Sequence, residues 1–285
     1  MSTQNTLNAF SVDVEEYFQV SAFEGTIARA DWTRWPSRLE YGLERVLTLL
    51  DAAQVKATFF TLGWIAERFP ARIRQLVACG HELASHGYAH RRATQQTRAE
   101  FAQDIRHTKA LLEDLSGTAV QGYRAASYSL DRTNHRWAHE ELRAAGYRYS
   151  SSVYPVRHDL YGIPDAPRFR YCPLPDDPGF VEIPITTLEW LGRRWPIGGG
   201  GFFRLYPYAV SRWALARVNR RERQSAMFYC HPWELDPNQP RPPGLNMKTR
   251  VRHYLHLDRT EARLRRLLGD FAWDRVDRVF LPAAS

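Results

Sequence analysis

An α/β fold with parallel strands, closed as a barrel or doubly wound, is what this sequence predicts. Two observations carry the prediction. Short apolar strands alternate with amphipathic helical stretches in units of about 30 residues, and no linker or internal repeat breaks the alternation along the 285 residues. Hydrophobic residues make up 44% of the chain and aromatic ones 13%, enough to bury a large core and to exclude a disordered chain.

The first strand runs through FSVDVEEYF (Phe10 to Phe18), where an apolar, β-branched entry passes directly into Asp13, Glu15 and Glu16. After a loop with Trp32 and Trp35, Ser37 precedes Glu40 by three positions. That is capping-box spacing for a helix carrying Leu39, Leu43, Val46, Leu47 and Leu50. ATFFTLGW (Ala57 to Trp64) reads as a buried strand. A helix follows Pro70, with Ile73, Leu76 and Val77 inward and Gly80 as its stop. HELASHG (His81 to Gly87) is the next strand and its exit. Thr97 and Glu100 form a second capping box, for a helix with Phe101, Ile105, Leu111, Leu112 and Leu115 on one face and Gly117 at its end. QGYRAASYS opens another strand and loop. Residues 154–184 are proline-rich and are expected as a long excursion within a single domain spanning 1–285. GGGG (Gly198 to Gly201) is not followed by GK[ST], so it is no phosphate loop; a mobile or closely approached loop is expected there.

The formal charge is +8, from 39 basic and 31 acidic residues. Nearly all the basic residues are arginine, the only lysines being Lys56, Lys109 and Lys248. They are spread along the chain without a long basic run, which reads as a solvated basic surface and predicts no nucleic-acid partner. Cys79, Cys172 and Cys230 are odd in number and far apart, as expected of free thiols in a reducing compartment. MSTQNTLNAF shows no basic region followed by an apolar one, and no stretch approaches the roughly 20 apolar residues of a membrane span. A cytoplasmic location is therefore expected, with peripheral contact at the inner membrane left open.

In parallel α/β folds chemistry collects at the C-terminal ends of strands. Three such ends carry suggestive residues: Asp13 and Glu15 after the first strand, His86 and His90 after HELASHG, and His231 after AMFYC, while Arg124 sits at a fourth. HGYAH places two imidazoles four residues apart, within reach of one ion from a single turn. That spacing is common by itself. A carboxylate from another strand end would complete two His plus one Asp or Glu with open positions, a set suited to a divalent ion. Alternation along the strand turns Asp13 and Glu15 to the same side.

The ordered stretches SVDVEEYF, GHELASHGYAH, GYRAASYSL, GYRYSSSVYP and FYCHPWELDP resemble the five motifs of NodB-type polysaccharide deacetylases, carbohydrate esterase family 4. The resemblance is to the branch tied to bacterial exopolysaccharide and exosortase clusters, whose C-terminal extension RHYLHLDRTEARLRRLL resembles, over roughly residues 240–285. It implies a distorted (β/α) barrel and metal-dependent hydrolysis of N-acetyl groups on amino sugars. One divalent ion, zinc with cobalt or nickel as alternatives, would be held by Glu15, His86 and His90, acidifying a water and polarising the acetamide carbonyl. Asp13 would be the general base, His231 the general acid and Arg124 the group orienting the base. Backbone N–H groups near Tyr128 would steady the oxyanion. Trp233, beside His231 in the sequence, is read either as a sugar-stacking wall or as a buried core residue. Glu82 is the substitute ligand should Glu15 point away, and Glu16 is expected to face solvent or be paired. The implied partners are an N-acetylated saccharide and membrane-bound polysaccharide assembly proteins. Departures are Glu15 in a D-x-E order, Ala126 in place of a common proline, and Ser150 in place of a common aspartate that would support Arg124. Two other readings stay open: an amidohydrolase acting on cyclic amides, and a catalytically silent saccharide-binding protein.

Overall fold

The structure is a computed structural model and describes residues 6–158 and 161–281. Its strands are β1 (Leu7–Val14), β2 (Thr58–Thr61), β3 (Glu82–Ser85), β4 (Gly122–Tyr123), β5 (Tyr149–Ser150), β6 (Val181–Glu182), β7 (Thr187–Trp190), β8 (Arg193–Pro196), β9 (Met227–Cys230) and β10 (Ala272–Asp274). The helices are α1 (Leu39–Ala52), α2 (Gly63–Arg68), α3 (Pro70–Ala78), α4 (Arg98–Ser116), α5 (His135–Ala144), α6 (Gly200–Leu205), α7 (Tyr208–Arg217), α8 (Met247–Tyr254), α9 (Leu257–Asp270) and α10 (Val276–Phe280).

Eight strands form one sheet in which every ladder is parallel, with β1 at its centre. On one flank β1 pairs with β9 over Ala9 to Val12; on the other it pairs with β10 over Leu7 to Ala9 and with β2 over Ser11 to Val14. From β2 the sheet curves through β3, β4 and β5 to β6. The gap between β6 and β9 is spanned by irregular chain: Thr186 Oγ1 accepts the Met227 N–H at 2.6 Å and Gly198 O accepts the Tyr229 N–H at 2.8 Å. This is the expected distorted barrel, a parallel half-barrel with an incomplete seam. The antiparallel β7–β8 hairpin stands outside the sheet.

The helices bury their apolar stripes against the sheet, α1 with Leu39, Leu43, Val46, Leu49 and Leu50 and α4 with Phe101, Ile105 and Leu112. The Thr97–Glu100 capping box forms, and Gly117 ends α4 at φ 69°. The Ser37–Glu40 box does not. Glu16, buried rather than solvent-facing, takes that place: its Oε2 accepts the Arg38 N–H at 3.0 Å and its Oε1 accepts the Ser37 hydroxyl. A carboxylate from the end of β1 thus satisfies the N-terminus of α1. The glycine run is a closely approached segment: Gly199 sits at φ 122°, and a Cβ there would lie 1.9 Å from Tyr229 O.

Glu82 lies at the N-terminal end of β3, four residues and one strand length from His86, so it is no substitute ligand. Its Oε1 accepts the Tyr149 hydroxyl at 2.9 Å, and its Oε2 accepts the Thr58 hydroxyl at 2.5 Å and the Asp277 N–H at 3.2 Å. It thereby fastens the start of α10 across the bottom of the barrel. Burial, followed by the charge of Asp277, raises its pKa to about 8. A carboxyl raised in the folded state lends stability below its unfolded pKa of about 4.3 and loses it as the pH climbs through the folded value. In urea unfolding, Glu82→Gln should therefore lose stability less steeply than the parent between about pH 5 and about pH 9. Equal slopes would show that Glu82 ionises freely in the folded chain.

Candidate metal centre and active site

The C-terminal ends of β1, β3, β4 and β9 converge, and the residues picked out at those ends meet there. Ser11 and Asp13 point to the same side of β1, as alternation requires, and Glu15 follows just beyond its end. Glu15, His86 and His90 are buried and offer ligand atoms that all lie within 4.8 Å of one another. Glu15 Oε2 is 2.9 Å from His90 Nε2.

The donor set fits a divalent ion. His86 Nδ1 lies 2.8 Å from Arg124 O and must donate to it, since a carbonyl can only accept. This leaves the lone pair on Nε2 and fixes the ring, the arrangement typical of a ligating histidine. Burial lowers the His86 pKa to about 4, so the ring is neutral at pH 7. Burial would raise Glu15, but His90 first, then His231 and His86, bring it to about 2 and keep it ionised. Glu15 Oε2 faces His90 Nε2 without an aligned hydrogen bond, as expected of two groups turned towards a shared occupant.

Asp13 faces the same space. Arg124, fully buried, donates Nη1–H to Asp13 Oδ1 at 2.5 Å and to Ser11 Oγ at 2.9 Å. Its Nε and Nη2 donate to the carbonyl and hydroxyl of Ser151 at 3.2 and 3.1 Å. Phe60 lies 3.9 Å beneath the guanidinium, with the Tyr128 and Tyr229 rings around it. The expected weakness at Ser150 is absent because Ser151 does the supporting. Ser150 instead bonds Ser152, whose hydroxyl accepts the Ala125 N–H at 2.9 Å. The backbone N–H groups of Ser152 and Val153 donate to Glu182 Oε1 at 2.7 and 2.8 Å, and Glu182 Oε2 is met by His139 at 3.0 Å. A buried carboxylate from β6 thus holds the loop that holds Arg124.

His231 stands opposite. Its Nε2 is 3.9 Å from Asp13 Oδ2 and 3.5 Å from Glu15 Oε1. Nδ1 faces Glu234 Oε2 at 3.3 Å, an ion-pair approach rather than an aligned hydrogen bond. Burial works against a charged imidazolium, yet Glu234, with Glu15 and Asp13 behind it, raises the His231 pKa to about 9. Glu234 is secured by Arg204 at 2.8 Å, and Arg204 also donates to the carbonyls of Arg252, His253 and Leu255.

Two expected binding residues take other duties. Trp233 is buried, its ring stacked with His231 at 4.9 Å and His253 at 4.3 Å, so no flat face is left for a sugar. Its indole N–H donates to Glu15 Oε1 at 3.2 Å instead. Tyr128 does reach the site, but with its hydroxyl, 3.5 Å from Asp13 Oδ2. Its backbone N–H and that of Ser129 are spent on Ala125 O and Ala126 O, so neither is free for an oxyanion. Ser127 and Tyr128 both lie at φ 52°, and His90 at 49°, left-handed conformations that non-glycine residues adopt at a cost. Ser11, Ser151 and Glu234 lie inside the quoted motifs without standing out as site residues, and Glu182 and Arg204 lie outside them; only the i, i+2 spacing of Ser11 to Asp13 and the closeness of Glu234 to His231 pointed to any of the five.

A parallel half-barrel carries two imidazoles and a carboxylate at its mouth, a set that could hold a metal ion, beside a second carboxylate and a third imidazole. The comparisons agree. Residues 39–150 match the polysaccharide deacetylase family model, and residues 151–281 match that of a domain of unknown function (DUF3473). The chain thus resembles a polysaccharide deacetylase domain followed by DUF3473. It is 27% identical over 148 residues to the peptidoglycan deacetylase of Helicobacter pylori, covering 52% of this chain and 49% of that one. It is 31% identical over 97 residues to the peptidoglycan-N-acetylglucosamine deacetylase of Bacillus cereus, covering 34% and 35%. The chain therefore spans half or less of the length of these curated relatives. A solved Mycobacterium smegmatis structure assigned as a polysaccharide deacetylase superposes with a TM-score of 0.64 at 19% identity, over 98% of this chain and 90% of that one. An allantoinase (Puue) superposes at 0.61 with 16% identity over the same shares. These two establish the fold alone.

Arg124→Met should destabilise the protein by about 3–5 kcal/mol in denaturant unfolding, because Asp13 is left buried without a countercharge. Adding Asp13→Asn should return part of that loss. A neutral single variant would mean that the pair does not hold the strand ends together.

Proposed function

We propose that this protein is a metal-dependent hydrolase that removes N-acetyl groups from an amino-sugar-containing saccharide. The observation that carries this reading is the meeting of a candidate three-ligand set, a carboxylate and a third imidazole in one buried site. Glu15, His86 and His90 would hold a divalent cation, which when bound would supply Lewis-acid polarisation of the acetamide carbonyl and lower the pKa of the attacking water. Asp13, aligned by Arg124, accepts the proton that this water gives up. His231, kept charged by Glu234, delivers a proton to the departing nitrogen as the C–N bond breaks. Acetamide and water thus become acetate and amine.

The names of the two curated relatives support an N-acetylated amino sugar as the substrate class. We further propose zinc as the ion, with cobalt or nickel as alternatives, and action in exopolysaccharide synthesis as a single domain on the cytoplasmic side of the inner membrane, beside membrane-bound assembly proteins. The five ordered motifs and the C-terminal extension support this placement. No helix among the described residues is long and apolar enough to cross a membrane. A silent saccharide-binding protein would have no use for a base and an acid held on either side of a ligand set by two buried ion-pair networks.

Purified protein should hold about one divalent ion per chain. His86→Ala and His90→Ala should lose both the ion and acetate release from N-acetylated oligosaccharides. Asp13→Asn should retain the ion while kcat falls by about 100- to 10,000-fold. Undiminished turnover in the histidine variants would overturn the mechanism, and turnover of cyclic amides without acetate release would overturn the substrate class.

A further inference from the structure

The β7–β8 hairpin and the neighbouring helix α7 present an unusual surface. Of the nine tryptophans, three are exposed, and all three lie here: Trp190 (37%), Trp195 (42%) and Trp213 (45%). Trp190 and Trp213 meet edge to face at 5.2 Å, and Trp195 donates its indole N–H to Trp190 O at 3.3 Å. The turn between the strands is Leu191–Gly192, with φ 52° and 68°. Such a two-residue turn calls for Asn, Asp or Gly at its first position. This one carries a leucine that is 84% exposed, a choice that folding does not ask for.

Arginines surround the rings. Arg217 lies over Trp190 at 4.6 Å, and Arg193 stands opposite Trp190 in the hairpin register. The turn after α7 carries Arg220, Arg221 and Arg223. Arg168 ties that turn to the hairpin, reaching Glu222 at 2.6 Å and Glu189 at 3.9 Å. The acidic groups nearby are already engaged: Glu189 and Glu222 by Arg168, and Asp270 by Arg212 at 2.9 Å. Arg193, Arg220, Arg221 and Arg223 have no ion pair among the described residues.

We propose that this face docks on an anionic phospholipid bilayer. Leu191 enters the apolar boundary, the three indoles lie at headgroup depth, and the arginines meet lipid phosphates. Half-exposed tryptophans flanked by arginine suit that boundary, where one end of the ring is apolar and the other wet. Anionic headgroups complete the charge. A second copy of the chain would bring like charges together and fits poorly. The proposal uses no residue of the metal centre and stands whether or not the catalytic reading holds.

Co-sedimentation of the full chain with vesicles of phosphatidylcholine alone, and of phosphatidylcholine mixed with phosphatidylglycerol, tests it. Binding should require the anionic lipid, weaken with added salt and shift tryptophan emission to the blue. Leu191→Asp, and separately Arg220→Glu with Arg221→Glu, should each weaken vesicle binding by about tenfold. The thermal midpoint and activity on a soluble N-acetylated oligosaccharide should stay unchanged. Failure to pellet with anionic vesicles would overturn the proposal, as would undiminished binding by both variants. So would a concentration-dependent dimer that Leu191→Asp dissociates in the absence of lipid, which would assign the face to self-association.

Discussion

A guanidinium sealed from water sits at the middle of this molecule, and the surrounding strand ends are arranged by its need for partners. Burying Arg124 without a counter-ion would cost several kcal/mol. Asp13 provides the charge, Ser11 and Ser151 take further N–H groups, and three aromatic rings close the remaining sides. That one side chain ties β1 to β4 and to the loop after β5. Its own carbonyl takes the His86 N–H, so the residue that aims Asp13 also sets the tautomer of a candidate ligand. Asp13 and the candidate ligand set are coupled mechanically.

Around this centre lies a second layer of buried carboxylates, each doing a different job. Glu16 finishes the start of α1, Glu182 gathers the backbone of the loop behind Arg124, and Glu234 keeps a proton on His231. Each has its own cationic or N–H partners, and none competes for the site. The Ser150 position shows the result. A negative charge expected on β5 is supplied from β6, with backbone amides rather than the guanidinium as its partners.

Much of this was legible in the sequence, for a physical reason. Helix faces, the Thr97–Glu100 box, the Gly117 stop and the shared side of Asp13 and Glu15 depend on spacing along the chain, which the sequence displays. Five ordered motifs contain the candidate ligands Glu15, His86 and His90, which the fold brings together. Features decided between distant segments were not legible. Ser37 and Glu40 had capping-box spacing, but Glu16 was closer in space. Trp233 beside His231 resembled a sugar platform until His253, from α8, covered it. Arg204 lies in α6, where no local pattern links it to Glu234.

The three-way pairing of β1 imposes an order on biosynthesis. β1 leaves the ribosome before every other strand of its sheet, yet one of its flanks belongs to β9 and the lower half of the other to β10. At about 5–20 residues per second, those hydrogen-bonding edges stay unpaired for roughly 10 to 50 seconds of elongation. Asp13 and Glu15 ride on or just beyond that waiting strand, so His231 can face them only once β9 has been made. Until then the nascent chain must keep a long apolar edge from pairing wrongly.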